Sequence, residues 1–531
     1  MEQYDAIVVG SGAAGGWAAK ELTEGGLRVL LLEAGPPIDP ASDYPLPASS
    51  GKRVWCRVRG LLIGQNVQMR SYGYNAKSSR FFVNDRQNPY ITPANHAFNW
   101  FRGKQVGGRM HVWGRYALRF SEADFKCASI DGYGVDWPLG YRDLEPYYDK
   151  VESFHGLLGN MDGLEGLPDG KFVKPYLLNP SELRFKEAVE TAYPDRRVIS
   201  ARILQHSTTR VPLPILAAQQ TGYLTLRANA IVERVNTDPI SGKGTGVSII
   251  DRITGARSEY HSRVVMMCAS TIETLRILLN SASERHPNGL GNSSGLLGRN
   301  FLDHVIAILH GPFEKVEESS CGDSGDPDPY DYGRNHGFNV PRYQNMKGQT
   351  EGFLRGYAVQ GAIGRDKPHW HMMSLGELLP RIENYVSIDS KRRDRWGVPI
   401  PLINLTFGNN ELSMIKHACR SMQNMADAGH LLRDSVPKGR FVEKVAFALW
   451  NKKLMLPDGA YVPGTSAHEA GGARMGSDPA NSVVNLYNQC WDANNVYVTD
   501  GACFPSIGSQ NITLTIMALT ARACEHIVKS Q

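Results

Sequence analysis

The segment DAIVVGSGAAGGWAAKELTEGGLRVLLLE, residues 5–33, combines the features that decide the fold. Asp5–Val9 is a short β-branched run that predicts a buried strand, and the alanine-rich stretch after the glycines predicts a helix. A second apolar run, Val29–Leu32, predicts another strand and is followed by the acid Glu33. Strand, GxGxxG loop, helix, strand and acid, in this order, predict a Rossmann-like dinucleotide site.

Each residue of the glycine-rich loop has an expected task. Gly10 allows the tight turn, Gly12 lets the backbone approach a pyrophosphate, and Gly15 lets helix and strand pack closely. Ala13 and Ala14 open the helix, whose N-terminus offers free N–H groups to phosphates. Glu33 can accept hydrogen bonds from an adenosine ribose. Because only one such fingerprint stands out, bound FAD reduced directly by substrate fits better than a pyridine-nucleotide reductase.

Two C-terminal segments predict the chemistry. GTSAHEAGGARMGSDP, residues 464–479, places His468 in a glycine-rich loop. VTDGACFPSIGSQNITLTIMALTARA, residues 498–523, places Asn511 ahead of an apolar helical run. A histidine can accept a proton and an amide can orient a hydroxyl. With a cofactor site at the start of the chain, this pair favours flavin-type alcohol oxidation.

Composition sets wider bounds. A chain of 531 residues with 42% hydrophobic content is expected to form two intertwined domains. The net charge of +5 is scattered, and its densest run, Lys391–Arg395, predicts a solvated loop. Nucleic-acid binding has no aromatic and basic motif in its support, so no such partner is expected.

The eight cysteines form no CxxC pair and no zinc-site spacing, so we expect reduced thiols, no metal and a reducing compartment. No leader pattern and no membrane-length apolar run is evident, so a cytoplasmic location is expected. Oligomeric state stays open.

The predicted fold class is α/β, or α+β overall. Strands near 5–9, 29–32, 224–232, 264–269 and 496–499 predict one parallel sheet in an FAD-binding domain. That domain is interleaved with a substrate domain built on an antiparallel sheet with helices. The FAD-binding domain is expected at 1–50, 91–155, 223–310 and 460–531, and the substrate-binding domain with its insertions at 51–90, 156–222 and 311–459. Region 313–395 is expected to be either a long-loop lid, with its acidic part at 314–337, or a solvated insertion.

The chain resembles the glucose–methanol–choline (GMC) family of FAD oxidoreductases. The motifs that match are spread in order along the chain: GSGAAG (10–15), RGKQVGGRMHVWG (102–114), WPLGYRDLEPYYDKVE (137–152), CASTIETLRILLNS (268–281), GRNFLDH (298–304) and the two C-terminal segments. Several of these motifs, with VQMRSYGYNAKSSRFFVNDRQNPY (67–90), are most similar to the subgroup of pyranose oxidases and glycoside 3-oxidases.

The resemblance implies the role of each site residue. His468 and Asn511 take the catalytic positions that face the N5 edge of the flavin, where His468 removes the hydroxyl proton as hydride leaves for N5. For His304, in the FLDH motif, a structural role near the domain junction is expected. The resemblance and the fingerprint together assign these residues to the cofactor: Gly10, Gly12, Ala13, Ala14, Gly15, Glu33, Gly107, Gly108, His111, Val112, Val232, Cys268, Ala269, Asp500, Gly501, Ala502, Asn511 and Thr513.

Two departures from the family pattern matter. Fungal pyranose oxidases link FAD through a histidine directly before a tryptophan, but Val112 stands at that position here. His111 comes one residue early, so non-covalent FAD is expected, and His111 is expected to pack over the flavin or to be structural. At Cys268-Ala269-Ser270 the family often has Ala-Ala-Gly, a change expected to leave the chemistry unaltered.

The resulting expectation is FAD-dependent oxidation of a secondary hydroxyl of a sugar or glycoside, at C3 or C2, to a keto-sugar. The alternatives are a GMC oxidoreductase for choline-like, aliphatic or sterol alcohols, and a lyase with redox-silent FAD. Oxygen, a quinone or a redox protein could accept the electrons, so oxidase and dehydrogenase both remain open.

Overall fold

The computed structural model of the protein describes residues 4–44, 53–313, 330–331, 336–365, 368–432, 455–456 and 459–530. Strands and helices alternate along the chain. The strands are β1 Tyr4–Val9, β2 Val29–Leu32, β3 Leu157–Leu158, β4 Phe172–Lys174, β5 Ile199–Ser200, β6 Ile203–Leu204, β7 Leu224–Arg227, β8 Ala230–Thr237, β9 Gly244–Asp251, β10 Arg257–Met267, β11 Val305–Pro312, β12 Phe338–Val340, β13 Tyr357–Ile363, β14 His369–Gly376, β15 Tyr385–Arg393, β16 Pro399–Asn404 and β17 Val496–Val498.

Helices of very different length connect these strands. They are α1 Ala13–Glu24, α2 Pro40–Asp43, α3 Arg53–Leu62, α4 Glu122–Phe125, α5 Cys127–Asp131, α6 Tyr141–His155, α7 Pro180–Ala192, α8 Leu213–Gln220, α9 Thr271–Asn280, α10 Asn409–Ala428 and α11 Thr513–Lys529. Short 3-10 helices lie at Gln68–Arg70, Ser79–Phe81, Gly108–Val112 and Gly501–Cys503. Across the described ranges, no helix combines the length and the apolar character needed to cross a bilayer.

The N-terminal pattern produces the expected parallel sheet. β7, β2, β1, β10 and β17 pair in parallel, and β10 continues antiparallel to β9, which pairs with β8. The central strands β1 and β2 are almost entirely apolar, as expected for strands covered on both faces. Helices α1, α8 and α11 pack beside the sheet, and α6 packs on α11. The predicted fold class is confirmed.

Strand ends differ slightly from the prediction. β10 ends at Met267 rather than Ala269, and β17 ends at Val498. After β10 the chain turns at Ser270, whose φ is +73° and which directly precedes the first residue of α9. Cys268, Ala269 and Asp500 are therefore loop residues at the carboxyl edge of the sheet, which is where ligands bind in such folds.

A second sheet has the antiparallel order β11-β14-β13-β12-β5. The expectation of a structureless lid over 313–395 is wrong for residues 338–340, 357–363 and 369–376, which are strands of this sheet. The first five residues of β14 alternate between half-buried and buried, a strand pattern, because successive side chains face opposite sides. The acidic part of the predicted lid, 314–337, lies outside the described residues except at 330, 331, 336 and 337.

The domain boundaries stay a prediction, with one adjustment. β11 begins at Val305 and pairs along its length with β14. The expected boundary at residue 310 would cut this strand, so we place it before Val305. The seven cysteines in the described residues are free thiols, and Cys321 lies outside them.

Candidate active site

A cavity of about 850 Å³ extends from the carboxyl ends of the parallel strands to one face of the antiparallel sheet. Its volume is within the range of small-molecule and cofactor sites. One end is lined by the GxGxxG loop and Glu33, the middle by His468 and Asn511, and the far end by residues of β11, β13 and β14. The cavity thus joins the two sheets through the predicted catalytic pair.

The three fingerprint glycines have separable roles. Gly10 has a φ of +95°, and a Cβ there would lie 2.5 Å from the carbonyl oxygen of Cys268. A Cβ on Gly15 would lie 1.7 Å from the carbonyl oxygen of Gly10. A Cβ on Gly12 would meet nothing within 4 Å. Gly10 and Gly15 therefore permit the strand–helix packing, whereas Gly12 leaves open space for a ligand against the backbone.

Glu33 is held at the end of β2 by backbone donors. Its carboxylate accepts hydrogen bonds from Gly35 N at 2.8 Å, Ser11 N at 3.2 Å and Ser11 Oγ at 2.6 Å. Burial raises the pKa of Glu33, and these hydrogen bonds act against that rise. The carboxylate lines the cavity beside the glycine loop, where it can accept further bonds from ribose hydroxyls.

Asp500 lies past the end of β17 and is tied to α9. Its Oδ2 accepts a hydrogen bond from Thr274 Oγ1 at 2.5 Å, and its Oδ1 accepts one from Ala502 N at 3.0 Å. Burial raises the pKa of Asp500 to about 6, although the bond from Thr274 opposes the rise. Asp500 and Gly501 line the cavity, whereas Ala502 packs into the core.

The double-glycine loop faces the fingerprint loop. Gly107 has a φ of +90°, and a Cβ on Gly108 would lie 3.5 Å from the Cα of Gly12. Val112 lines the cavity, but His111 does not. The His111 ring bonds the carbonyl oxygen of Val106 at 2.6 Å and the hydroxyl of Tyr44. The structure therefore gives His111 a packing role outside the cavity wall.

The loop that carries His468 is anchored by one carboxylate. Asp303 accepts hydrogen bonds from Gly464 N at 2.7 Å, from His468 N at 3.2 Å and from the hydroxyl of Ser466. Ala467, directly before the histidine, has a φ of +60°, in the left-handed region. Burial and the nearby charge of Glu469 raise the pKa of Asp303 to about 7. This buried anchor sets where the imidazole stands.

His468 stands between a histidine and an amide. Its Nε2 lies 3.4 Å from Nδ2 of Asn511, and its Nδ1 lies 2.9 Å from Nδ1 of His304. His304 also bonds the carbonyl oxygen of Gly508 through Nε2 at 3.0 Å. Burial lowers the pKa of His468 well below its usual range, and the positive charge of Arg109 adds to this. A neutral imidazole of this kind can accept a proton.

The opposite side of Asn511 is occupied by Gln360 from β13. Its Nε2 donates to Oδ1 of Asn511 at 2.6 Å. Gln360 is only 3% exposed, and its Oε1 has no hydrogen-bond partner among the described residues. Since Gln360 also lines the cavity, this oxygen is placed to meet a ligand.

Most of the predicted site residues come together in this one cavity. Its wall includes Gly10, Gly12, Ala13, Ala14, Glu33, Gly108, Val112, Val232, Cys268, Ala269, His468, Asp500, Gly501, Asn511 and Thr513. Gly15, Gly107, His111 and Ala502 lie behind the wall instead. For the glycines the reason is close packing: a Cβ on Gly15 would meet the backbone of Gly10, and a Cβ on Gly107 would meet the side chains of His111 and Pro212.

Sequence reasoning missed three residues near the predicted catalytic pair or the phosphate loop, namely Ser11, Arg109 and Gln360. It named His304 but expected only a structural role, whereas the structure places the His304 ring against His468. Arg109 donates to the carbonyl oxygen of Ala467 at 2.9 Å and so ties the double-glycine loop to the His468 loop. For His304, the available signal was the adjacent Asp-His pair in GRNFLDH, whereas Gln360 sits in a strand without any motif.

These residues fit FAD. An extended cavity begins at a glycine loop with open space beside Gly12 and a buried carboxylate at Glu33, and ends beside a neutral histidine. The fingerprint loop and α1 would hold the pyrophosphate, and Glu33 the ribose. Gly108, Asp500 and Thr513 would adjoin the part of the cofactor nearest His468.

Comparison with known protein families agrees with this geometry. Residues 380–520 match the family described as GMC oxidoreductase, and residues 5–112 match the family described as FAD binding domain. The first match contains the predicted catalytic pair, and the second contains the dinucleotide fingerprint.

Full-length relatives are alcohol and sugar oxidoreductases. The chain is 27% identical to 2-methyl-1,2-propanediol dehydrogenase of Mycolicibacterium austroafricanum, over 99% of this chain and 95% of the relative. It is 26% identical to the fructose dehydrogenase large subunit of Gluconobacter japonicus, over 99% and 97%. It is also 26% identical to paromamine 6'-oxidase of Streptomyces fradiae, over 99% and 91%.

Solved structures share the fold. Pyridoxine 4-oxidase from Mesorbium loti superposes with a TM-score of 0.63 at 16% identity, covering 98% of both chains. A variant of formate oxidase from Aspergillus oryzae gives 0.68 at 15% identity, covering 100% of this chain and 98% of that one. The solved structures show the fold alone, whereas the two family matches, the full-length relatives and the cavity together indicate an FAD-dependent oxidoreductase of the GMC type.

Proposed function

We propose that the enzyme oxidises a secondary hydroxyl of a sugar or glycoside, at C3 or C2, to the corresponding keto-sugar. The observation that carries this proposal is the pairing of His468 with Asn511 over 3.4 Å, opposite a polar sheet face. In this proposal His468 and Asn511 contact the reacting hydroxyl, and side chains of the sheet face contact the rest of the substrate.

His468 is the proposed base. Oxidation of an alcohol removes the hydroxyl proton and a hydride from the same carbon, so a proton acceptor must stand beside the oxygen. Burial keeps His468 neutral, and its Nε2 lies 3.4 Å from Nδ2 of Asn511 in the wall of the cavity. A base positioned in this way contributes roughly 10²–10⁴-fold in rate.

Asn511 is the proposed donor to the same oxygen. Gln360 donates to Oδ1 of Asn511, so the Nδ2 group of Asn511 is left to face the substrate and His468. A hydroxyl that donates to His468 and accepts from Asn511 has a defined orientation. FAD, when bound, supplies the acceptor for the hydride.

The far wall supports a polyhydroxylated substrate. β13 and β14 contribute Gln360, His369 and His371 to the cavity, and His336 lies beside them. His336 donates through Nε2 to the carbonyl oxygen of Gly114 at 2.7 Å, and burial lowers its pKa to about 3. Nδ1 of the neutral His336 ring and Oε1 of Gln360, an amide oxygen without a partner among the described residues, can each accept a hydrogen bond from a sugar hydroxyl.

A non-sugar alcohol is the second candidate. It is favoured by the similarity to 2-methyl-1,2-propanediol dehydrogenase and by Ile308, Met373 and Trp113 in the same wall. These apolar side chains could cover the carbon skeleton of a smaller alcohol. They share the wall with the polar side chains of Gln360, His369 and His371.

Anaerobic mixing distinguishes the candidates. The holoenzyme is mixed with glucose, with aryl glycosides and with 2-methyl-1,2-propanediol, and the visible flavin band is followed. Bleaching by sugars, with a keto-sugar product located by NMR, supports the proposal. Bleaching by the diol alone contradicts the sugar assignment, and a flavin that no alcohol reduces would indicate a redox-silent lyase. Reoxidation by air and by a quinone then separates an oxidase from a dehydrogenase.

A further inference from the structure

His304 is buried beside the proposed base and touches it directly. It is 1% exposed, and its ring meets the His468 ring edge-on, with an interplanar angle of 84° and a centroid distance of 5.0 Å. Each of its two nitrogens has one neighbour: the carbonyl oxygen of Gly508 at 3.0 Å and Nδ1 of His468 at 2.9 Å. These two contacts constrain where protons can reside.

The Gly508 carbonyl decides the protonation of His304. A carbonyl oxygen can only accept, so Nε2 of His304 must carry a hydrogen. Burial lowers the pKa of His304 to about 4, so the ring is neutral and Nδ1 carries none. Nδ1 of His304 is therefore an acceptor.

We propose that His304 is a positioning residue that holds His468 in the Nδ1–H tautomer and thereby makes Nε2 the proton-accepting nitrogen. The contact between the two Nδ1 atoms needs one donor, and only His468 can supply it. In a neutral imidazole the second nitrogen then bears a free lone pair. That nitrogen, Nε2, is the one that faces Asn511.

The hydrogen bonds of Asn511 have donors and acceptors that agree with this tautomer of His468. An unprotonated Nε2 faces the Nδ2 donor group of Asn511, and Oδ1 of Asn511 accepts from Gln360. With His468 protonated on Nε2 instead, Asn511 would have to turn its oxygen toward the histidine and its amino group toward Gln360. A buried carbonyl outside the cavity wall thus sets the direction of every hydrogen bond up to the substrate.

The contact with His304 also stabilises His468 after it has been protonated. When His468 takes the hydroxyl proton on Nε2, its Nδ1–H continues to donate to His304, and the bond becomes charge-assisted. No ring has to flip between the two states. Asp303, next to His304 in sequence, holds the backbone of the His468 loop, so two consecutive residues fix its position and its tautomer.

Substitutions at residue 304 separate the two contacts. Asparagine can place Oδ1 near the position of Nδ1 and keep an acceptor for His468. Glutamine reaches toward Gly508 but removes that acceptor, and leucine removes both contacts. We expect His304→Asn to retain flavin reduction within about 10-fold of the wild type, and His304→Gln and His304→Leu to lose about 10²–10⁴-fold, the contribution of a positioned base. His155→Phe, a buried histidine outside the cavity, is the matched control.

The second readout is the tautomer itself. Histidine labelled with nitrogen-15 reports which ring nitrogen carries the proton, and the His468 signals are assigned by their loss in His468→Ala. We expect wild-type His468 protonated on Nδ1, and a mixture of tautomers in His304→Gln. A proton on Nε2 in the wild type overturns the inference, even if the leucine variant fails to fold. So does wild-type reduction in His304→Gln.

The inference rests on the proposed function of His468 as the base, but the two fail in different ways. If His468→Ala reduces its flavin at the normal rate, the base assignment is wrong whatever the tautomer. If His468→Ala is inactive while His304→Gln is unaffected in rate and tautomer, only the role of His304 is wrong.

Discussion

Nε2 of Gln360 donates to Oδ1 of Asn511 at 2.6 Å, across 151 residues of sequence. This bond links the antiparallel sheet to the start of α11 and fixes which end of the Asn511 amide faces His468. The antiparallel sheet therefore orients a side chain that stands beside His468.

Removing that bond should slow the reaction without preventing cofactor binding. Gln360→Met keeps a similar volume but leaves Oδ1 of Asn511 without its buried donor, a loss of about 1–3 kcal/mol in comparable cases. We expect kcat for sugar oxidation to fall about 10-fold. Gln344→Met, on a buried glutamine outside the cavity wall, is the control. An unchanged kcat in Gln360→Met would show that Asn511 needs no such support.

Replacing the base should remove reduction and spare the cofactor. His468→Ala is expected to retain the visible flavin spectrum and to lose roughly 10²–10⁴-fold in the rate of anaerobic reduction. In the wild type, the lowered pKa of His468 keeps its base form present in mildly acidic solution, so reduction should not fall between about pH 8 and pH 6. A decline centred on the usual histidine pKa would contradict this.

Ser270 occupies a backbone conformation that suits glycine. Its φ of +73° and ψ of 146° lie near a region that is essentially restricted to glycine and costs other residues about 1–3 kcal/mol. This explains the glycine that the resembling family often has here. We expect Ser270→Gly to raise the free energy of unfolding by about 1 kcal/mol, after allowance for glycine's larger chain entropy.

Urea titration of the holoenzyme tests the Ser270 prediction. Ser293→Gly, at an exposed serine outside the positive-φ residues of the described chain, should instead lower stability by a few tenths of a kcal/mol or leave it unchanged. If both glycine variants behave alike, Ser270 is not strained.

Buried neutral histidines should make the protein sensitive to acid. Burial lowers the pKa of His155 to about 4, and the Lys20 charge adds to this. The unfolded chain binds a proton near the usual histidine pKa, whereas the folded chain does not. This contribution to stability is therefore present above that value and is lost as the pH falls toward about 4.

The test compares urea midpoints at about pH 7 and about pH 5. For His155→Phe, the loss of stability between these values should be smaller than in the wild type by about 1–2 kcal/mol. His430→Asn, at an exposed histidine, should show the wild-type loss. Equal losses in all three proteins would mean that His155 is protonated in the folded state.

FAD should be released without bond breakage. Val112 stands at the cavity position where a linking histidine would be needed, and the His111 ring is bound to Val106 and Tyr44. We expect precipitation by acid to leave all flavin in the supernatant. Flavin that remains with the precipitated chain would contradict non-covalent binding.

Local sequence patterns were sufficient to predict much of the fold and the FAD cofactor. The apolar runs at 5–9 and 29–32, the glycines between them and Glu33 act within one βαβ unit, where short-range sterics leave few alternatives. His468 and Asn511 could be named because glycine-rich and helix-initiating surroundings mark their segments. The antiparallel sheet was predicted, but its strands within residues 338–376 were not located, because that stretch was taken for a loop.

The tertiary structure alone decided how these groups act on one another. His304 meets His468 across 164 residues, and Gln360 meets Asn511 across 151. Hydrogen-bond direction depends on which atoms come within about 3 Å, and residue type leaves that unspecified. By itself the sequence determined the FAD site and predicted that a base and an amide accompany it. The Gly508 carbonyl, reached only by folding, decided which nitrogen of that base is free.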